Sequence, residues 1–430
     1  MKLNLEQISN KKIALALSGG VVKAATWHLG VALALEELGF TFEKSHDEKL
    51  NDKKSHNKKL NFNIETCIGS SSGSLIGLYL ACGYKPSEII TSAFSSNKLS
   101  GPLSDIISEQ EKSQGKEFKK FKRLTYKDIM SFRAPIKRPP TSKIYKPFED
   151  FPFVFQKIFQ PLARISGLFS TSGISSYLRK HLLSDKSTFA DFNLDLFIVA
   201  SRLDYSGKVI FSKYNYPAPN HDPMASFYTG VHPADAVAAS MSVPPLYSPY
   251  PIKNLHKDRT DYFIDGDIRD TLSHHVAIDH NCEVIISSWT HTPYHYHDEI
   301  GSLVNYGLPA ICVQAIYLML QKKILNTKYE VQKANNVIEN VYQYMKDQNF
   351  SSEHIKNIID IIEKKLDHNR SRIYIDICPE HNNYELFFSR FFSLDQDLSA
   401  AAIRMGYERT MEVLKSFSCS CSTNHNCSTK

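Results

Sequence analysis

The sequence has no uninterrupted run of 18 or more apolar residues in its 430 positions, so no transmembrane helix is expected. Its N-terminal apolar run, Ile13–Leu17, is too short for a secretory signal peptide. Together these absences predict a chain made in a reducing cytoplasm that stays there or binds a membrane peripherally. A secretion route that needs no N-terminal signal stays open.

The chain also lacks a strong excess of either charge. Lys and Arg total 51 against 45 for Asp and Glu, which gives a formal net charge of +6. That excess is modest for a nucleic-acid-binding protein, so local clusters of charge matter more than the sum. Hydrophobic residues make up 42 % of the chain, which excludes disorder as the dominant state.

Cysteine is too sparse for a disulfide framework of the small secreted kind. Five cysteines lie in apolar runs and are expected to be buried as small hydrophobic side chains: Cys67, Cys82, Cys282, Cys312 and Cys378. Three more crowd the tail: Cys419, Cys421 and Cys427. Residues 417–430 are typical of a flexible reduced tail, with metal capture beside His425 and lipidation of the thiols as the alternatives.

Two strand–turn–helix patterns open the chain. A buried-strand pattern at 12–17 runs into Ser18-Gly19-Gly20, and an amphipathic helix pattern follows over 23–38. A second strand pattern at 63–68 runs into the turn 69–73 and another helix pattern. This alternation predicts an α/β fold with a mainly parallel central sheet.

Further strand patterns occur at 194–201, 208–212, 262–265, 283–287 and 372–377, and residues 302–365 are helical in pattern with a break near 349–352. Residues 1–416 are therefore interpreted as one domain. A polar insertion is predicted at 43–60, and a basic, then aromatic insertion at 101–165.

The sharpest chemical signal is the G-x-S-x-G pattern of residues 69–73. It follows an apolar strand and opens a helix, as a nucleophile elbow does, and it would present the Ser71 hydroxyl at the edge of the sheet. Gly69 and Gly73 would allow the sharp turn. A phosphate-binding turn and a plain strand–helix connection are the alternatives.

Two other segments could complete such a site. Residues 18–23, SGGVVK, place successive backbone amides where an acyl-transfer reaction needs an oxyanion hole. A nucleotide phosphate loop is the weaker alternative, because neither G-x-x-x-x-G-K-[ST] nor G-x-G-x-x-G is present. Asp265 ends a strand before Gly266 and could serve as general base, although an Asp-Gly turn alone would also explain it.

Four motifs in order resemble the patatin-like phospholipase family, particularly its bacterial members. Residues 18–31 resemble the family's oxyanion loop and first helix, and residues 69–74 resemble its G-x-S-x-G-S elbow. Residues 236–245 are similar to its A-x-x-A-S-x-x-x-P-P segment, and 265–270 to its D-G-G-x-x-D motif. The resemblance covers roughly residues 11–416.

The resemblance implies a three-layer α/β/α patatin-type fold and hydrolysis of phospholipid acyl esters through an acyl-enzyme. It implies a Ser71–Asp265 dyad without a catalytic histidine, metal or other cofactor. The oxyanion would be held by the amides of Gly19, Gly20 and Val21. Lys23 would support this loop or meet the lipid phosphate.

Two departures from the family pattern bear on activity. Val21 stands at the third oxyanion glycine, where a β-branched residue resists a positive φ. Asp267 replaces the glycine after Asp265-Gly266 and is expected to repel the catalytic carboxylate and raise its pKa. They motivate an alternative function: a catalytically weak or inactive protein that keeps the fold and binds lipid or a partner.

Histidines offer a competing Ser–His–Asp triad, with candidates His274, His275, His291, His295 and His297. We expect these to be surface-loop residues. A zinc site at His291, His295 and His297 is disfavoured, because no Cys or carboxylate spacing frames it. The basic run 112–146 is interpreted as a solvated insertion, or as a lid that docks on a phospholipid membrane. Nucleic-acid binding is disfavoured there, and the need for an activating protein partner stays open.

Overall fold

A computed structural model describes residues 5–44, 62–94, 104–105, 121–132, 152–153, 165–183, 186–216, 222–253, 255, 259–366, 368–381, 383–389 and 393–418. Most of the two predicted insertions and the predicted tail from 419 onward lie outside these residues. The first insertion is described only at its start, up to Lys44.

Twelve strands occur in the described residues. They are β1 Ile13–Leu17, β2 Phe40–Thr41, β3 Phe62–Ser70, β4 Ser131–Phe132, β5 Phe169–Ser170, β6 Asp195–Arg202, β7 Lys208–Phe211, β8 Ala225–Tyr228, β9 Tyr250–Lys253, β10 Thr260–Asp265, β11 Val284–Ser288 and β12 Ile373–Ile377. Ten form one sheet along the path β12-β11-β1-β3-β6-β10-β9, with β2 beside β3, and β7 and β8 beyond β6. The strands from β12 to β6 pair in parallel, whereas β10 pairs antiparallel with β6 and β9, and β7 pairs antiparallel with β6 and parallel with β8.

The helices are α1 Val21–Glu37, α2 Ser72–Ala81, α3 Pro86–Ala93, α4 Tyr126–Ile129, α5 Ser172–His181, α6 Pro233–Ser240, α7 His274–Asp279, α8 Gly307–Asp347, α9 Ser352–Leu366, α10 Tyr384–Phe388 and α11 Gln396–Ser418. Helices α1, α2, α3, α5, α6 and α11 share one hydrophobic core against the sheet. Helices α7 and α8 contribute to a second core on its other face. The three-layer α/β/α fold with a mainly parallel sheet is therefore confirmed.

Strand β1 shows how the sequence assigns side chains to these two layers. Ile13, Leu15 and Leu17 point into the core of α1 and α2. Ala14 and Ala16, one residue out of phase, point into the core of α7 and α8. Because successive strand residues face opposite sides, a strand covered on both faces is apolar throughout.

The parallel strands bring the two glycine-rich turns together. Leu17 of β1 lies opposite Gly69 of β3, so the residues that follow each strand meet at the carboxyl edge. Strand β10 approaches from the opposite direction, and its last residue, Asp265, lies opposite Ala200 of β6. Asp265 is thus at the level of the elbow because β10 stops there, and not because β10 shares the direction of β1 and β3.

Helices α1 and α11 pack at very close range through two glycines. A Cβ on Gly30 would lie 1.9 Å from the carbonyl oxygen of Ile403. A Cβ on Gly406 would lie 2.3 Å from the carbonyl oxygen of Trp27. The C-terminal helix therefore covers the outer face of the helix that follows the oxyanion loop.

Helix α8 bears on the expectation that no transmembrane helix occurs, and it corrects the expectation for Cys312. The element Leu303–Asp347 is long and apolar enough to cross a membrane, and only 11 % of its most apolar window is buried. The sequence analysis missed it because single polar residues, such as Gln314, interrupt the apolar run. Cys312 lies on this helix and is exposed rather than buried. Of the other four, Cys67 and Cys282 are buried as expected, and Cys82 and Cys378 are half-buried.

Candidate active site

Ser71 occupies a strained turn between β3 and α2. Its backbone has φ 51° and ψ −125°, a conformation that non-glycine residues rarely adopt. Such strain costs about 1–3 kcal/mol and persists only where the surroundings enforce it. The strained serine lies at the N-terminus of α2, where the helix dipole favours developing negative charge.

Gly69 and Gly73 are required because backbone lies against both. A Cβ on Gly73 would lie 2.3 Å from the carbonyl oxygen of Leu17. A Cβ on Gly69 would lie 2.5 Å from Cα of Ser74. The elbow thus sits directly on the end of β1, and neither glycine tolerates a side chain.

Ser240, at the end of α6, holds the elbow from behind. Its Oγ accepts a hydrogen bond from the Ser71 amide at 2.8 Å and donates one to the carbonyl of Val199 at 2.6 Å. The sequence analysis quoted this serine within the A-x-x-A-S segment but gave it no role. The position of Ser240 in that motif is the sequence signal that could have identified it.

Asp265 faces the elbow and is buried. Its Oδ1 accepts a hydrogen bond from the Asp267 amide at 2.9 Å. Burial raises the pKa of Asp265 to about 6, while the nearby Ser71 hydroxyl and the Asp267 amide lower it. Gly266 fits tightly behind it, since a Cβ there would lie 2.4 Å from the carbonyl oxygen of Val199.

Asp267 is a second buried carboxyl in the same site, which the sequence analysis had treated only as a source of repulsion. Burial and the charge of Asp265 raise the pKa of Asp267 well above its usual value. The pKa of Asp265 is raised as expected, with burial as its largest cause, and repulsion between the two carboxyls raises the pKa of Asp267. The pair therefore favours holding a single negative charge.

The oxyanion loop contacts Asp267 and lies against Ser71. The Gly19 amide donates to Oδ2 of Asp267 at 2.5 Å, and a Cβ on Gly19 would lie 2.6 Å from Cβ of Ser71. The amides of Gly20 and Val21 precede the first intrahelical bond of α1, from the Ala24 amide to the Gly20 carbonyl. The amides of Gly20 and Val21 thus have no intrahelical partner in α1, while Gly19 anchors the loop to Asp267.

Val21 has φ 60° and Gly20 has φ 130°. The first value confirms that a β-branched residue is held in the left-handed region here, where its side chain is strained.

Lys23 supports this loop from the protein interior. Its ammonium donates to Tyr317 Oη at 2.7 Å and to the Leu386 carbonyl at 3.1 Å. Burial lowers the pKa of Lys23 to about 7. Only 4 % of this residue is exposed, so the structure favours the supporting role over contact with a lipid phosphate.

A cavity of about 140 Å³ opens at Ser71. Its walls are almost entirely apolar and come from α1, α2, α5 and the segment after α6, with Leu29, Ile76, Ile174, Val243 and Tyr247 among them. Phe121, Leu124 and Ile129, from the described part of the predicted basic insertion, also line it. This part of the insertion packs against the core, contrary to a purely solvated loop.

The histidines do not assemble the competing triad in the described residues. His291 is buried against Gly20 and the ring of Tyr317, and burial lowers its pKa to about 3. His275 is also buried and His274 is half-buried, so the expectation of surface-loop histidines is wrong for all three. His295 is exposed as expected, and His297 is half-buried.

One group of possible metal ligands occurs in the described part of the chain: Asp222, Asp270 and His275. The ammonium of Lys208 forms ion pairs with Asp222 at 2.8 Å and with Asp270. A cation already fills the position between the carboxylates, so this cluster is explained by its own lysine.

The family model for patatin-like phospholipases matches residues 15–278, which is more than half of the chain. No curated protein matches the sequence. Among solved structures, VipD from Legionella pneumophila is similar over 95 % of this chain and 67 % of its own, at 16 % identity and a TM-score of 0.37. That likeness is too distant to carry an argument, so the assignment rests on the family model.

Proposed function

The chain belongs to the patatin-like phospholipase family, and we propose that it hydrolyses phospholipid acyl esters with a Ser71–Asp265 dyad. One observation carries the proposal: a serine in a strained elbow lies beside a buried carboxyl and lines an apolar cavity. Burial of an acyl chain in such a cavity contributes about 0.8 kcal/mol per methylene.

The proposed reaction begins when Asp265 accepts the proton of the Ser71 hydroxyl. The Ser71 Oγ then bonds to the ester carbonyl carbon, and the amides of Gly20 and Val21 stabilise the oxyanion. As the C–O bond to the lysolipid breaks, the leaving alkoxide takes the proton from Asp265. Water repeats these steps on the acyl-enzyme and releases the fatty acid and free Ser71.

Hydrolysis of phosphatidylcholine vesicles, with fatty acid measured by mass spectrometry, tests this proposal. We expect Ser71→Ala to lose at least about 10³-fold in rate. Ser72→Ala is the matched control, because Ser72 is the next residue of the same turn and is expected to keep most of the activity. Equal rates for wild type and Ser71→Ala would overturn the proposal.

The geometry of the site also favours a second candidate, a weak or inactive protein that retains the fold and binds lipid. Its support is the Gly19–Asp267 hydrogen bond, which occupies one of the three amides that the family resemblance assigns to the oxyanion, together with the strain at Val21. A wild type without hydrolysis above background, both alone and with a cell extract as a source of an activating protein, would favour this candidate. Retained vesicle binding would then be its positive sign.

A further inference from the structure

The N-terminal half of α8 is apolar on two opposite faces. Tyr317, Leu320 and Ile324 face the body of the protein and are buried. On the opposite side, Val304, just before the helix, and Leu308, Ile311, Leu318 and Met319 recur at helical spacing and are exposed. A helix that is apolar all round is normally covered on every side, by protein or by lipid.

This exposed stripe carries no charge. From Ile300 to Gln321 there is no acidic or basic residue, and the run ends at Lys322-Lys323. The remainder of the same helix, 322–347, is rich in Lys, Glu and Asp. The change of character within one helix marks residues 304–319 as a distinct surface, which we call the apolar stripe.

The apolar stripe lies close to the active site. On the opposite side of the same turns, Tyr317 accepts the hydrogen bond from Lys23 at 2.7 Å. Six residues further along, the Lys323 ammonium donates to the Asp267 carbonyl at 3.2 Å. The stripe is therefore about one helix diameter, roughly 10 Å, from the loop that holds the oxyanion amides.

We propose that the apolar stripe docks the protein on the surface of a phospholipid bilayer, with α8 lying in the interface. The inference rests on the proposed function, since a lipid substrate must enter from a bilayer near Ser71. Three observations favour lipid over a second copy or a protein partner: the charge-free stripe, Tyr306 exposed near one end, and Lys322 exposed at the other. Aromatic and lysine side chains at the ends of an apolar surface are typical of interfacial helices, whereas a protein interface needs about one hydrogen bond per 100–200 Å².

Vesicle co-sedimentation with phosphatidylcholine containing phosphatidylglycerol tests the docking directly. The variant Leu308→Asp/Met319→Asp places two charges in the stripe at residues that are 71 % and 60 % exposed, so folding is retained. We expect at least a tenfold loss of vesicle binding. The matched control is Tyr329→Asp/Tyr344→Asp, whose residues on the same helix are 66 % and 64 % exposed, and it is expected to bind as wild type does.

A tryptophan probe locates the contact. Trp27 and Trp289 are 1 % and 6 % exposed, so brominated lipids are expected to leave their fluorescence nearly unchanged. Leu308→Trp is expected to be quenched strongly. Tyr344→Trp, about 54 Å further along the helix axis, is expected to be unaffected. Equal quenching at both positions would contradict an interface confined to the stripe.

Two substrates separate failure of docking from failure of the proposed function. The stripe variant is expected to lose at least tenfold in vesicle hydrolysis while hydrolysing soluble p-nitrophenyl butyrate as wild type does. Inactivity of the wild type on both substrates would overturn the proposed function and leave the binding result standing. A wild type that dimerises through the stripe would overturn docking in favour of a second copy of the chain. A monomeric wild type that does not bind vesicles would overturn docking in favour of a protein partner.

Discussion

The two glycine-rich turns at the carboxyl edge of the sheet have the same construction but distribute their strain differently. Each connects a parallel strand to a helix, and each holds one non-glycine residue at positive φ, Val21 at 60° and Ser71 at 51°. At the elbow, glycines flank the strained residue and backbone packs against both of them. At the oxyanion loop, the strained residue carries a branched side chain, and the carboxyl of Asp267 anchors the glycine two positions earlier.

The difference shows that the elbow is fixed mainly by backbone packing, and the oxyanion loop mainly by a side-chain hydrogen bond from a distant segment. Changes at the elbow should therefore affect folding, whereas changes around the loop should adjust the rate. The following predictions test this division, beginning with the chemistry that joins the two turns.

Asp265→Asn is expected to lower kcat by about 10³-fold, because an amide cannot take the Ser71 proton. The carboxamide has nearly the same shape, so the thermal unfolding midpoint should stay within a few degrees of wild type. Single-turnover hydrolysis of a fluorogenic acyl ester measures the loss. A drop smaller than tenfold would assign the base to another group.

Gly73→Ala is expected to lower the free energy of unfolding by about 3 kcal/mol, because its Cβ would meet the Leu17 carbonyl. Gly83→Ala is the control: it also has a positive φ, of 83°, but nothing lies within 4 Å of its Cβ position. Strain alone should cost about 1–2 kcal/mol there. Urea unfolding followed by circular dichroism compares the two, and equal losses would contradict the packing argument.

The rate is expected to fall tenfold for each pH unit below about 6. Burial raises the pKa of Asp265 to about 6, and only the deprotonated carboxylate present above that pH can act as base. The acid limb of kcat/KM on a soluble ester reports this pKa in the free enzyme. A midpoint near 4 would indicate a solvated carboxylate instead.

Asp267→Ala is expected to lower kcat about tenfold with little change in KM, because the Gly19 amide loses its acceptor and the oxyanion loop loosens. Asp267→Asn keeps an oxygen that accepts from Gly19 and should restore most of the rate. An Asp267→Ala variant faster than wild type would show instead that Asp267 withholds the Gly19 amide from the oxyanion.

Val21→Gly is expected to change the free energy of unfolding by less than about 1 kcal/mol. Relief of strain at φ 60°, about 1–3 kcal/mol, offsets the glycine's greater loss of chain entropy and the lost apolar contact. Val22→Gly, one residue along in the same helix turn, has no strain to relieve and should lose about 1–2 kcal/mol. Equal effects in the two variants would show that Val21 is unstrained.

The fold could be predicted from the sequence because its evidence is local. The strand before each turn and the helix after it have their own periodicity, and the observed bounds of β3, β6 and β11 differ from the predicted ones by at most two residues. The break predicted near 349–352 separates α8 from α9. The direction of β10 could not be predicted, because a strand's own residues do not determine which strand it pairs with or in which direction.

The support of the site could not be predicted, for the same reason. The Gly19–Asp267 bond joins residues 248 positions apart, and the Ser71–Ser240 bond joins residues 169 apart. Motifs identified Ser71 and Asp265 as candidates, but only the tertiary structure shows which polar groups hold them. Exposure is equally non-local: the apolar composition of α8 suggests burial, and only the packing shows that one face is uncovered.

The close seating of α11 on α1, through Gly30 and Gly406, has a consequence for how the protein is made. Residues 396–418 are synthesised long after the elbow at Ser71, yet they cover the helix α1 that follows the first glycine-rich turn. At 5–20 residues per second, the elbow at Ser71 waits roughly 20 s to a minute for its covering helix. A nascent chain that has not yet reached residue 396 therefore leaves the Gly30 face of α1 uncovered.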